Sequence, residues 1–145
     1  MIGKLQQNIL NGEFELGRQL YDRIDYETLK HDIHIIAYDL NDISVYFFIA
    51  DMIFHKEDAE LHYIAASLLI NPFVYIQGAY YMAYNHLREA TTLEPSNVKY
   101  MENLLLFYHI PDKILKRKEA IKIAKSIMSA CPDSKAAKSI IKECC

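Results

Sequence analysis

The sequence predicts an all-α protein of about eight helices, arranged as antiparallel hairpins stacked into an array. Three observations carry this. Apolar residues recur three and four positions apart along most of the chain, the spacing that places them on one side of a helix. Only four Gly and four Pro occur in 145 residues, too few for the many turns of an all-β chain. The breakers that do occur fall between the periodic stretches. They leave connections of roughly two to four residues, which imply antiparallel neighbours.

Taken in order, Lys4 to Leu10 forms a short first segment, stopped by Asn11-Gly12. Phe14, Leu16, Leu20, Tyr21 and Ile24 then follow helical spacing, with Glu13 and Glu15 favouring the start. Asp25 is placed to cap a helix from Tyr26 to Tyr38, with Leu29, Ile33, Ile36 and Ala37 facing inward. The β-branched run from Ile33 to Ala37 is the one stretch that also fits a strand. Asn41-Asp42 opens a helix over 42–54 that is apolar nearly all round, through Val45, Phe47, Phe48, Ile49, Met52 and Ile53. It is expected to be the most buried.

Lys56 to Asp58 is a charged turn, and Ala59 to Ile70 the next helix. Asn71-Pro72 ends it, since a residue before proline disfavours the helical backbone. Pro72 is then placed to start a long helix over 73–93, with Gly78 as a point of bending. Glu94-Pro95 closes that helix, 98–110 forms the next, and Pro111-Asp112 breaks the chain. A helix from Ile114 to Ala130 ends before Pro132, and Asp133 or Ser134 caps a final one carrying Ala136, Ala137, Ile140 and Ile141. One helical domain, 1–145, is expected: N-terminal helices over 1–40, helical pairs over 41–132, and a capping helix over 133–145.

Composition narrows the functional classes. With 52% apolar and 24% charged residues the chain is globular rather than disordered. Its most apolar run, Ile43 to Phe54, is interrupted by Asp51 and is shorter than the about 20 residues of a membrane span. The N-terminal residues have no signal-peptide core. Cys131, Cys144 and Cys145 are odd in number and lack metal-ligand spacing, so a reducing cytoplasm is predicted. Charge is uneven: residues 1–75 carry a net −7 and residues 76–145 a net +4, a field that can steer a partner.

The stretch from Ala83 to Tyr108 carries a resemblance. Ala83, Leu87, Ala90 and Pro95 match the second helix of a tetratricopeptide repeat: Ala, a large apolar residue four on, Ala three on, Pro five on. Ala120, Ala124, Ile127 and Pro132 repeat the pattern with small and large exchanged at two places. The prolines are 37 residues apart, against about 34 in the family, and the extra residues fit the Pro111-Asp112-Lys113 turn. Pro72 follows Ile64 and Ser67 as a third echo, but only 23 residues before Pro95. The chain thus resembles a tetratricopeptide-like helical array with irregular repeats over about residues 41–140. The resemblance implies stacked hairpins with a concave face that binds proteins or peptides. On that face it would place Asn97, Lys99, Glu102, Asn103, Leu106 and His109.

The acidic half offers a second surface. Asp22, Asp25, Glu27, Asp32, Asp39 and Asp42 are expected to be exposed there, solvated or attracting a basic partner. Lys113, Lys116, Arg117, Lys118, Lys122 and Lys125, with Lys135, Lys138 and Lys142, make the C-terminal third basic. No aromatic residue interleaves with these charges, so they read as the wet faces of two helices and nucleic-acid binding is not expected. His31/His34 around Asp32, and Asp51, His55, Asp58 and His62, approach ligand spacing without forming a recognised metal motif. No metal or cofactor is predicted. No nucleophile elbow, phosphate loop or Cys–His pair occurs, so no catalytic residue and no enzyme is predicted. The expected function is non-catalytic binding of a protein or peptide. Two narrower forms are a dedicated inhibitor, such as an immunity protein neutralising a basic bacterial toxin, and a secretion chaperone; an RNA-binding helical repeat is a further class.

Overall fold

The computed structural model describes residues 1–145, and it is all-helical. Ten α-helical segments follow one another: α1 (Ile2–Leu10), α2 (Phe14–Leu20), α3 (Tyr26–Leu40), α4 (Ser44–His55), α5 (Ala59–Ile70), α6 (Ala79–Leu93), α7 (Val98–Leu104), α8 (Leu106–His109), α9 (Arg117–Ala130) and α10 (Lys135–Cys144). A 3₁₀ turn, Phe73–Tyr75, lies between α5 and α6. Only Leu105 separates α7 from α8, so the two read as one interrupted helix. No helix is long and apolar enough to cross a membrane.

The chain divides into two compact units, Met1–Ala83 and Tyr84–Cys145, the division falling inside α6. The segments expected at 1–40, 41–132 and 133–145 do not coincide with it.

In the first unit, α5 and not α4 is the central helix. Ala59, Leu61, His62, Ile64, Ala65, Ala66, Leu68 and Leu69 of α5 are all buried, and the helix packs on α3, α4 and the 3₁₀ turn. The reason is side-chain size: its small residues let neighbours approach from several directions. In α4 only Val45, Tyr46, Phe48 and Ile49 are buried, while Phe47 and Phe54 are 54% and 86% exposed. Gly17 on α2 makes the tightest approach, since a Cβ there would lie 2.7 Å from the Phe48 ring. Leu16, one of the residues at helical spacing, is 50% exposed, and α2 stops at Leu20 instead of reaching Ile24.

Helix ends follow local chemistry. The Asp25 carboxylate accepts from the Thr28 N–H at 2.8 Å and from its hydroxyl at 2.9 Å, capping α3. The Ile33–Ala37 run is helical and lies within α3. Asn41 ends α3 with a left-handed φ of 50°, which Asn tolerates at this position; it belongs to the helix before it, not the one after. Asp58 caps α5 by accepting from the Glu60 N–H at 2.8 Å. The long helix expected over 73–93 does not form. Ile76 is extended and Gly78 takes φ +84°, so α6 starts only at Ala79.

In the second unit, α9 packs on both α7 and α10. Its stripe of Ala120, Ala124 and Ile127 is fully buried. The helix expected from Ile114 begins later, at Arg117, because Lys113 is left-handed and Lys116 extended. Leu115 in that loop is buried and its N–H donates to the Phe107 carbonyl at 3.1 Å. Ser134 caps α10 by accepting from the Ala137 N–H, and donates its own hydroxyl to Glu102 at 2.7 Å.

Candidate functional site

The first unit holds two surface features of interest, both bordered by α3. Along the outer side of α3, Glu27, Lys30, His31, His34, Ile35, Tyr38 and Asp39 form one open face. Their spacing of three and four is that of one helical stripe. Leu29, Ile33, Ile36 and Ala37 fill the opposite, buried side. What remains outward is unusual for a solvated helix face: Ile35 and Tyr38 are 44% and 57% exposed at its centre. Around them, Lys30 lies over the Tyr63 ring at 4.9 Å and Asp39 accepts from Gln6 at 3.1 Å. The His34 ring donates to the Lys30 carbonyl at 2.8 Å, and burial holds its pKa below the ordinary value.

The second feature is a cleft of about 560 Å³ among α2, α3, α4, α5 and the turn 21–25. Tyr21, Leu29 and Leu61 form buried parts of its wall, while Glu15, Asp22 and Lys56 stand exposed at its edge. Arg18 pairs with Asp51. Tyr21 donates to Asp32 at 2.7 Å, and its phenol is pushed far up by burial first and then by that carboxylate.

This last bond corrects one expectation. Asp32 is not part of an acidic surface; it is buried, held by Tyr21 and by the His31 ring at 3.1 Å. It sits one position before Ile33 on the inward side, where a carboxylate survives only with partners. The other acids, Asp22, Asp25, Glu27, Asp39 and Asp42, are exposed. Asp25 and Asp42 have carboxyl pKa values lowered by hydrogen bonds from Thr28 and Ser44.

The candidates on α7 and α8 turn largely to internal work. Asn97 caps α7, accepting from the Lys99 N–H at 3.1 Å and donating to Glu94 at 3.3 Å. Glu102 receives the Ser134 hydroxyl, and Asn103 donates to the Lys99 carbonyl at 2.8 Å. Lys99 lies over the Tyr100 ring, His109 reaches Glu143 at 3.8 Å, and Leu106 is 49% exposed. The histidine sets do not converge. His55 contacts Asp51 through its carbonyl, His62 bonds Glu57 at 3.0 Å, and no group of three or more His, Cys, Asp or Glu is placed to hold a metal ion.

Comparison with protein families, with characterised proteins and with solved structures gives no match to this chain.

The outer face of α3 has a signal in the sequence. With four apolar residues assigned inward on α3, Ile35 and Tyr38 had no inward place left. The cleft had no such signal, because its walls come from α2, α3, α4 and α5, far apart in the chain.

Proposed function

We propose that this chain is a non-catalytic protein-binding module, an irregular tetratricopeptide-like array, whose docking surface is the outer face of α3. The observation that carries the reading is the pair Ile35 and Tyr38, exposed at the centre of a continuous helical stripe. An apolar stripe with a polar border is what packing against a second amphipathic helix requires. The partner is a basic amphipathic segment, because residues 1–83 carry a net −7 and Glu27 and Asp39 border the stripe. Such complementarity speeds encounter and fixes orientation, while the apolar centre supplies the affinity. The buried stripe on α9, Ala120, Ala124 and Ile127, supports the array, since small residues on a helix face permit close stacking.

A dedicated inhibitor of a basic toxin is the narrower form favoured by the same acidic unit. Its complex should lose affinity steeply as salt rises.

The test is capture from the native host followed by mass spectrometry, run beside two variants. Ile35→Asp with Tyr38→Asp should abolish recovery of a basic partner, while Lys118→Glu with Lys122→Glu and Lys125→Glu should retain it. The reverse pattern, or recovery of RNA lost with the lysines, would sink the reading.

A further inference from the structure

We infer that the 560 Å³ cleft among α2, α3, α4 and α5 is a binding site for a small organic cation, an ammonium or guanidinium on an aromatic or branched apolar body. Its volume lies within the range of about 300–1,000 Å³ usual for small-molecule pockets. The proposal does not rest on what covers α3.

The apolar body is suggested by the walls. Leu29 and Leu61 are each 2% exposed, and Ile24 and Met52 add further aliphatic surface. Tyr21 and Tyr26 also line it, Tyr21 buried with its hydroxyl on Asp32.

The sign of the charge follows from which ionic groups are already matched. Arg18 is neutralised by Asp51. The His55 ring bonds the Asp51 carbonyl through Nδ1 at 2.9 Å. A carbonyl only accepts, so Nδ1 carries a hydrogen and is committed to Asp51, whose carboxylate also lies 3.6 Å from it. Glu15 and Asp22 stand at the rim without an ion pair, against the single exposed ammonium of Lys56. The C-terminal end of α4 also reaches this rim at His55 and adds the negative end of a helix dipole. The positive end of α3 lies nearby, but it is capped by Asp25 and followed by Glu27.

Two probes that share a phenyl ring and differ in charge test the assignment on the full chain: 2-phenylethylamine and 3-phenylpropionate. In an NMR titration the amine should saturate and shift signals of Tyr21, Tyr26, Met52 and Leu61. The carboxylate should bind at least about tenfold more weakly, a difference of about 1.4 kcal/mol. Glu15→Gln with Asp22→Asn changes only exposed rim groups and should weaken the amine by about fivefold or more, with an unchanged melting temperature. Equal or tighter binding of the carboxylate would overturn the proposal. So would shifts confined to other parts of the chain, no saturation by about 10 mM amine, or an unaltered affinity in the double variant.

Discussion

Residues 1–83 enclose large side chains, Phe48, Phe73, Leu5, Ile33 and Ile36, and leave eleven large apolar residues exposed, from Met1 to Met82. Residues 84–145 interleave Tyr100, Phe107 and Ile140 with the small residues Ala90, Ala120, Ala124 and Ala137, and leave only Leu93 and Leu106 so exposed. The first unit carries a net −7 and the second a net +4. The difference teaches where each unit uses its apolar residues. The second consumes them in close helix packing and shows water a basic, polar face. The first retains a surplus on its surface, within an acidic field.

The sharpest way to break this comparison is to enlarge or empty the two cores. Phe48→Ala should cost about 3–5 kcal/mol, the range for deleting a buried ring. Its exchange protection should fall most within residues 1–83, as measured by amide hydrogen exchange. An equal loss across both units would dissolve the distinction between them. Ala124→Leu tests the opposite sensitivity, since overpacking a close helix contact costs about 1–3 kcal/mol; urea denaturation should show it as a lower midpoint. Gly17→Ala asks the same of the first unit, because its new Cβ would meet the Phe48 ring at 2.7 Å, again at a cost of about 1–3 kcal/mol.

Two further effects concern polar groups on α3, the buried Asp32 and the half-buried His34. Tyr21→Phe removes the donor to Asp32 and leaves a buried carboxylate one hydrogen bond short. It should lower stability by about 1–3 kcal/mol, checked by thermal melting. The smallest effect is a pH dependence. Burial depresses the folded pKa of His34, so the unfolded chain binds the proton more readily. Stability should therefore fall as pH drops from its ordinary value toward the depressed one, then level off. Melting curves of His34→Gln should show a shallower decline over that window than the parent chain.

How much of this was legible in the sequence depends on whether the cause was local. Asp25, Asn71-Pro72 and Glu94-Pro95 bound helices where the sequence placed them, and of the two caps offered, Asp133 and Ser134, it is Ser134 that caps, because capping and proline geometry act within a few residues. The Ala120, Ala124 and Ile127 stripe was legible for the same reason. The long helix through Gly78 was misread. Hydrophobic spacing runs on through Val74, Tyr75 and Ile76, and nothing in that spacing reveals an extended Ile76 or a left-handed glycine. Asp32 was misread because its partner, Tyr21, lies on another element. Pairing across elements also hid the cleft.

The loop between α8 and α9 is fastened to the helix before it by buried Leu115, which donates to Phe107, while Pro111, Asp112 and Lys113 stand in water as a turn closed by the Lys113 N–H on the Ile110 carbonyl. That makes the tip a natural place to splice in a peptide tag or a cysteine for a fluorophore, far from α3 along the chain. The same cargo inserted two residues later would pull out the anchor. A protein labelled this way would carry its reporter without altering any residue of the acidic unit.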